Sequence, residues 1–352
     1  MRRQTIFIHN ISFGPCDSRS MSRSTLWRRT PVLALKNPPC RAQWHPIPRQ
    51  AFSSGRHLRR DEDPRIKALG REISDDYATI REKYSTPKYP IVLAHGLFGF
   101  AELRLGSYLP AVQYWHGIRD ALTAQGATVL TPAVPPSSSI ADRAAALRTA
   151  LESHAPAPEA VTIIAHSMGG LDARYMLAHL APLPIRVAAL VTVATPHRGS
   201  AFADYLLDEQ VSPLHLPRLY KTLERAGLGT AAFAQLTRRY MADEFNPSTP
   251  DCADVRYFSY GAAVEQPAML SPFRHPHAVM TQAEGPNDGL VSVESSHWGT
   301  YKGTLLGVSH LDLINWSNRV GWTVREWMGI KRTFNAIAFY LDIADMLAKE
   351  GF

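Results

Sequence analysis

The sequence predicts an α/β fold in which a mostly parallel sheet is covered by helices on both faces. Short, continuous apolar segments alternate with helical segments along the 352-residue chain. Continuous apolar strands of this kind are typical of a parallel sheet that is buried on both sides. No internal repeat is visible, and 45% of the residues are hydrophobic, as in ordinary globular proteins. The residues that follow position 60 therefore suit one α/β domain with a helical insertion.

The individual elements are predicted from apolar runs, helical periodicity and the residues that begin or end helices. A charged segment over 61–88 is predicted as an N-terminal helix, because Pro64 lies near its start and Pro87 follows its end. Ser139 is a candidate N-cap and Gly126 a candidate C-cap. Strands are predicted at 89–94, 127–130, 161–165, 187–193 and 255–260, and helices at 114–125, 139–154, 169–180 and within 334–347.

The basic residues are concentrated in the first sixty positions, which contain eleven arginines, one lysine and a single acid, Asp17. The remainder of the chain is slightly acidic, so the overall charge of +7 gives little support to nucleic-acid binding. An Arg- and Ser-rich segment almost free of acids is typical of a mitochondrial transit peptide. We therefore predict a transit peptide over 1–55, a mitochondrial location, and a linker with the N-terminal helix over 56–88. The alternative is a disordered basic tail that contains no targeting signal.

The segment Ala165-His166-Ser167-Met168-Gly169-Gly170 lies between a predicted strand and a predicted helix. This is the setting of a nucleophile elbow, where a serine occupies a strained turn and exposes its hydroxyl at the carboxyl edge of the sheet. The residues two before and two after the serine must be small, because the strand and helix backbones approach each other there. Gly169 meets this demand. Ala165 carries one methyl group more than the glycine usual at its position, but it is still small. Ser167 is therefore predicted as a catalytic nucleophile; the alternative is an accidental turn of similar composition.

A glycine-rich loop, His95-Gly96-Leu97-Phe98-Gly99, follows the predicted strand that ends at Ala94. An oxyanion hole belongs at this place beside a nucleophile elbow. We expect the backbone N–H groups of Leu97 and Met168 to hold the oxygen that gains charge in a tetrahedral intermediate. One such donor lowers the barrier by about 3 kcal/mol. The alternative is an ordinary glycine-rich turn between a strand and a helix.

The base and the acid are expected to follow the nucleophile in the order serine, acid, histidine. Asp288 lies in the turn-type segment Asn287-Asp288-Gly289, and His310 lies late in the chain. His310 would accept the proton of Ser167, while Asp288 would hold the imidazole tautomer and stabilise the imidazolium. His297 is the rival for the base and Asp312 is the rival for the acid.

Taken together, these motifs resemble the bacterial triacylglycerol lipases of the α/β-hydrolase fold. With the basic leader, the chain also resembles fungal mitochondrial triacylglycerol lipases. The resemblance covers residues 89–318 and depends on all its motifs jointly. It is carried by His95-Gly96-Leu97-Phe98-Gly99, Tyr114-Trp115-His116-Gly117-Ile118, Ala165 to Gly170, Ala194-Thr195-Pro196-His197-Arg198-Gly199-Ser200, Asn287 to Val291, Ser295-Ser296-His297 and His310-Leu311-Asp312.

The resemblance implies that Ser167, Asp288 and His310 form the catalytic triad of an α/β-hydrolase domain over 89–352. It also implies a lid over the acyl groove, which would lie within the insertion 201–245. This insertion mixes apolar and charged residues, as expected of an amphipathic lid. A fixed cap that packs on the core is the alternative.

In the bacterial relatives, an aspartate two residues after the catalytic histidine is a calcium ligand, and Asp312 matches it. The second aspartate of that site would come from 264–286, where Glu265 and Glu284 are the only acids. Because calcium prefers several converging oxygens, we predict that no cofactor is required, with calcium at Asp312 as the alternative.

These observations predict a serine ester hydrolase that acts on acylglycerols through an acyl-enzyme. The expected partners are an acylglycerol substrate and, transiently, the surface of a membrane or lipid droplet. Alternatives on the same scaffold are a phospholipase, another lipid esterase or an acyltransferase, since a fold does not fix the substrate. A non-catalytic lipid-binding protein is the alternative from another class, although it would have no chemical need for all three triad residues.

Overall fold

The computed structural model describes residues 70–97, 99, 114–153, 158–207, 231–267, 271, 273–316 and 334–352. The described residues form the predicted α/β architecture, with seven strands and with helices that flank the sheet. The strands are β1 (Glu72–Ile73), β2 (Ile91–Ala94), β3 (Val129–Leu130), β4 (Ala160–His166), β5 (Arg186–Val193), β6 (Arg256–Ala263) and β7 (Thr300–Leu306).

The helices alternate with the strands, and most lie where the sequence predicts them. Ser139 caps the helix that begins at Ile140, as predicted, because its side chain accepts a hydrogen bond from the Asp142 N–H. Gly126 ends the first helix with a positive φ of 90°. The α-helices are α1 (Ile118–Ala124), α2 (Ile140–Glu152), α3 (Gly169–His179), α4 (Ala201–Leu207), α5 (Ala231–Ala234), α6 (Arg238–Tyr240), α7 (Asn246–Ser248), α8 (Arg274–Ala283), α9 (Val293–Ser296) and α10 (Ala336–Lys349), with a π-helix at Met241–Phe245 and a 3-10 helix at Asp312–Ile314.

The sheet is parallel throughout, and its strand order is β1-β7-β6-β5-β4-β2-β3. The direction of chain progression changes at β2, which has β3 on one side and β4 on the other. Ala94 lies in register with Ala165, so β2 and β4 end side by side. In open α/β sheets, ligands bind in the crevice outside the carboxyl ends of the strands at such a switch point.

Alternate residues of the central strands face two apolar layers on opposite sides of the sheet. On β2, Ile91 and Leu93 pack into one layer, whereas Val92 and Ala94 pack into the other. The first layer contains buried side chains of α1 and α10, and the second contains those of α2 and α3. Each large aliphatic side chain buried in this way contributes about 2 kcal/mol. The strand ends that carry the site are therefore held by a core on both faces.

The predicted helix over 61–88 is wrong for residues 70–88, which contain the short strand β1 and otherwise irregular structure. Tertiary contacts override the charged pattern there. Arg81 forms ion pairs with Asp342 and Asp345 of α10, and the Ser85 N–H donates to Asp345 at 2.8 Å. These contacts hold the segment extended against the C-terminal helix. The predictions for residues 1–69 lie outside the described residues.

Within the part of the chain that the structure describes, no helix combines the length and the apolar character needed to cross a bilayer.

Candidate active site

Ser167 occupies the turn between β4 and α3 with a φ of 56°, a conformation that is rare for residues other than glycine. The turn is tight because α3 starts immediately beside the end of β2. A Cβ placed on Gly169 would lie 2.6 Å from the Ala94 carbonyl oxygen, and one on Gly170 would collide with the Thr195 hydroxyl. The strain at Ser167 and the close backbone approach at Gly169 match the predicted nucleophile elbow.

The predicted oxyanion loop lies directly against this elbow. A Cβ placed on Gly96 would lie 2.7 Å from the Cβ of Ser167, so only a glycine allows this approach. Among the described residues, the N–H groups of Leu97 and Met168 have no hydrogen-bond acceptor. The loop therefore supplies one uncommitted amide donor and the elbow supplies another, and an oxyanion hole requires such a pair.

Arg143 anchors the oxyanion loop through the carbonyl oxygen of His95. This residue was not predicted from the sequence. Its side chain is completely buried, and its guanidinium donates to the carbonyl oxygens of His95 at 2.8 Å and Pro135 at 2.7 Å. Asp172 on α3 compensates the charge through contacts of 2.9 Å and 2.7 Å. In the sequence, Arg143 could have been found as a basic residue on the apolar face of α2, three positions after Ile140.

The ring of His95, the first residue of the oxyanion loop, holds the loop in place. Its Nδ1 lies 3.0 Å from the Gly96 carbonyl oxygen, and its Nε2 lies 3.2 Å from the backbone nitrogen of Val134. Burial lowers the pKa of His95 to about 4, so the ring is neutral at physiological pH. A neutral ring protonated on Nδ1 satisfies both contacts, since Nδ1 then donates and Nε2 accepts.

Asp288 and His310 meet as the sequence predicts. The Nδ1 of His310 lies 2.6 Å from Oδ2 of Asp288, and both side chains are buried. The other oxygen, Oδ1, accepts the N–H groups of Leu290 at 3.0 Å and Val291 at 2.8 Å. The His310 N–H donates to the Asp288 carbonyl oxygen at 2.9 Å. This arrangement orients the carboxylate and leaves Nε2 of His310 to act on a reacting group.

His310 lies on the same side of the sheet as the elbow. Its ring centroid is 4.5 Å from that of His166, the residue immediately before Ser167. The loops after β6 and β7 therefore bring the acid and the base to the end of β4. The described contacts link His310 to Asp288 and place its ring against that of His166, next to Ser167 in the chain.

The rival residues have other contacts. Oδ2 of Asp312 accepts the N–H of Ser309 at 3.0 Å and its hydroxyl at 2.6 Å, which closes the turn that carries His310. The ring of His297 stacks on Tyr301 with a centroid distance of 3.5 Å. It is thus His310, and not His297, whose ring contacts Asp288.

Glu284, one of the two acids that could accompany Asp312 in a calcium site, is engaged elsewhere. The carboxylate of Glu284 is engaged by the Ser292 hydroxyl and by the Ala201 N–H at 2.5 Å. Burial raises the pKa of Glu284, which further disfavours its charged form. Over the described positions, no three His, Cys, Asp or Glu side chains converge on a point that could hold a metal ion. Calcium prefers several converging oxygens.

The described part of the insertion 201–245 packs on the core as a cap. Met241 and Phe245 are buried in one cluster with Met168 and Leu171. The lid prediction for residues 208–230 lies outside the described residues.

The chain is similar in sequence to a known family model and to known lipases. Residues 139–215 match the family model described as a PGAP1-like alpha/beta domain. Triacylglycerol lipase 2 of Saccharomyces cerevisiae is 34% identical over 80% of this chain and 98% of its own length. A triacylglycerol lipase of Pseudomonas fragi is 29% identical over 75% of this chain and 97% of its own length.

A solved structure supports the fold assignment. The mature lipase BlEst2 of Bacillus licheniformis superposes with a TM-score of 0.53 at 20% identity, over 73% of this chain and 96% of its own. At that identity the likeness bears on the fold alone, and it agrees with the α/β-hydrolase arrangement described above.

Proposed function

The chain belongs to the triacylglycerol lipase family, and from this we propose that it hydrolyses the carboxylic ester bonds of acylglycerols with Ser167, His310 and Asp288. The observation that carries the assignment of residues is the buried 2.6 Å contact between His310 and Asp288, located beside the strained turn of Ser167. A serine, a histidine and a carboxylate in this relation perform acyl transfer on several unrelated folds.

Acylation begins when Oγ of Ser167 attacks the carbonyl carbon of the ester, while Nε2 of His310 takes the hydroxyl proton. The carbonyl oxygen becomes an oxyanion, which the N–H groups of Leu97 and Met168 would bind. Asp288 stabilises the imidazolium that forms and keeps the Nδ1 proton in place. The carbon–oxygen bond to glycerol then breaks, and the imidazolium returns its proton to the departing alkoxide.

Deacylation repeats these steps with water in place of the serine. His310 takes a proton from water as its oxygen attacks the acyl carbon of the ester formed on Ser167. The intermediate collapses, the fatty acid leaves, and the proton returns to Oγ of Ser167. The net reaction consumes one ester and one water and produces one alcohol and one carboxylic acid.

Labelling with a serine-directed fluorophosphonate tests the nucleophile, with Ser167→Ala as the control. We expect labelling of the wild-type chain only; equal labelling of the variant would overturn the assignment. Hydrolysis of triacylglycerol and phospholipid emulsions, measured side by side, tests the substrate. Faster hydrolysis of the triacylglycerol is expected, and a preference for phospholipid would assign the same site to a phospholipase.

Contact with a lipid surface is part of the proposal, because acylglycerols with long acyl chains gather at such surfaces. Two large apolar side chains are exposed at the ends of elements: Leu207 at the end of α4, and Trp316, which follows the His310 segment and whose backbone N–H donates to the Leu311 carbonyl oxygen at 3.1 Å. Flotation with triolein droplets tests this contact. Wild-type protein should float with the droplets, and the Leu207→Ser, Trp316→Ser double variant should float less.

A mitochondrial location is also proposed, supported by the eleven arginines among the first sixty residues. Deletion of residues 2–55 should leave a tagged protein in the cytosol while activity in extracts persists. A truncated protein that still reaches mitochondria would overturn the transit-peptide assignment.

A further inference from the structure

The side chain of Tyr114 joins the oxyanion loop to the residue before the nucleophile. Its hydroxyl oxygen accepts the Gly96 N–H at 3.1 Å and lies 2.7 Å from Nδ1 of His166. Both side chains are buried. The backbone that carries the Leu97 donor is therefore tied to β4 through one hydroxyl group.

The hydrogen bonds assign the proton of His166. Nδ1 of His166 is the acceptor that the described structure offers to the Tyr114 hydroxyl, so we assign the hydroxyl as donor to Nδ1 and place the proton of neutral His166 on Nε2, which has no hydrogen-bond partner among the described residues. Burial, and after it the neighbouring His310, lowers the pKa of His166 well below its ordinary value. His166 is thus a neutral acceptor towards Tyr114 at physiological pH.

His166 also packs against the proposed base. Its ring lies 4.5 Å from that of His310 with an interplanar angle of 43°. His310 becomes cationic in both halves of the proposed reaction, so a second cation beside it would oppose proton transfer. A neutral His166 avoids this repulsion and limits the orientations that the His310 ring adopts.

We propose that Tyr114 and His166 are positioning residues, which hold the oxyanion loop and His310 in register with Ser167. This inference rests on the proposed function. Electrostatic stabilisation of a transition state depends on donors that are fixed before the charge develops. Loosening either link should therefore slow the chemical step more than it weakens substrate binding.

The first test compares two tyrosines that each lose one buried hydroxyl. Tyr340 lies in the same aromatic cluster, 5.5 Å from the Trp115 ring, and its hydroxyl has no partner among the described residues. With a soluble short-chain ester and the full chain, Tyr114→Phe should lower kcat by about tenfold or more at nearly unchanged KM, as expected when only the transition state loses an interaction. Tyr340→Phe should stay within about twofold of wild type in both constants.

The second test uses two substitutions of His166. Asn keeps a hydrogen-bond acceptor near the position of Nδ1, whereas Leu has none. His166→Leu should lower kcat by about tenfold and His166→Asn by at most about threefold. In the Tyr114→Phe, His166→Leu double variant the loss should be close to that of the more damaged single variant and well below the product of the two, because both changes remove the same Tyr114–His166 hydrogen bond.

Rates are expressed per site titrated with fluorophosphonate, so unfolded protein does not enter the comparison. Equal kcat for Tyr114→Phe and Tyr340→Phe, or losses that multiply in the double variant, would overturn the proposal. If Tyr114→Phe does not fold, equal kcat values for His166→Leu and His166→Asn would overturn the proposal. Ser167→Ala, which the fluorophosphonate should not label, is measured alongside at equal concentration of folded protein. Full activity of that variant would refute the proposed function itself, whereas a positioning failure leaves Ser167→Ala inactive.

Discussion

The two halves of the site are built in different ways. The nucleophile half, at the ends of β2 and β4, is shaped by backbones that approach too closely for side chains, as at Gly96 and Gly169. The acid–base half, after β6 and β7, is shaped by carboxylates that bind backbone N–H groups. Asp288 holds its own turn in this way, and Asp312 holds the turn of His310.

This difference decides what each half tolerates. Where packing sets the geometry, the addition of one methyl group forces the backbone to move. Where hydrogen bonds set it, a substitution that preserves the acceptor preserves the loop, and only the charge is lost. The predictions below test this contrast, from the largest expected effect to the smallest.

Removal of the nucleophile should have the largest effect. Ser167→Ala should reduce ester hydrolysis by at least about 10⁴-fold, and adding His310→Ala should reduce it little further, because the residues act as one unit. Initial rates on a soluble ester, with folding checked by thermal melts, measure this. Losses that multiply would mean that the two residues act independently.

The two aspartates of the acid–base half should separate clearly. Asp288→Asn should lower kcat by about 10⁴-fold, because it removes the charge that stabilises the imidazolium and favours the wrong tautomer. Asp312→Asn retains an acceptor for the Ser309 N–H and should cost less than about tenfold. If Asp312→Asn is the inactive, folded variant, the acid has been assigned to the wrong residue.

In the nucleophile half, Gly169→Ala should lower the free energy of unfolding by about 2 kcal/mol or more, since its Cβ would lie 2.6 Å from the Ala94 carbonyl. Ala165→Gly is the matched control, and it should cost at most about 1 kcal/mol. Chemical denaturation measures both. Equal stabilities would show that the turn is less constrained than its contacts indicate.

Acid should destabilise the fold through buried neutral histidines. Burial lowers the pKa values of His95, His166 and His197, so the unfolded chain binds protons that the folded chain excludes below about pH 6.5. The free energy of unfolding should therefore fall as the pH decreases from 6.5 towards 4. The pKa of Asp172, raised by burial to about 6, acts in the opposite sense below pH 6.

The pH series has its own control. His166→Asn removes one of the titrating groups, so the slope of unfolding free energy against pH should decrease by up to about 1.4 kcal/mol per pH unit. Denaturation at pH 7.5, 6.5 and 5.5 measures the slope. An unchanged slope in the variant would exclude His166 as a contributor.

Chelation should have the smallest effect. EGTA should change activity by less than about twofold and the melting temperature by less than about 2 °C, because a bound ligand stabilises the fold only where it has a site. A large loss that calcium restores would show that backbone carbonyls complete a site around Asp312.

The sheet and the elbow were predictable because their constraints are local. A mostly apolar strand such as 160–166, followed by a serine between small residues, can be recognised from the local sequence alone. The pairing of Asp288 with His310 could be anticipated only from chain order, since 22 residues separate them. The structure confirms that these two side chains meet.

Other features could not be predicted, because distant residues determine them. Strand β7 contains Tyr301, Lys302 and Gly303 in a mixed pattern, and it forms because β1 and β6 pair with it. The segment 70–88 has a helical charge pattern, yet Arg81 within it pairs with Asp342 and Asp345 of α10. The function of Arg143 is visible only once the loop that it supports is in place.

The pairing of Glu72 and Ile73 with Thr304 and Leu305 has a consequence for the edge of the sheet. Strand β1 covers the outer edge of β7, the strand that leads to the His310 loop. An uncovered edge strand presents unpaired N–H and C=O groups to other molecules and promotes aggregation. Loss of β1 would therefore leave the outer edge of β7 unpaired, beside the segment that leads to His310.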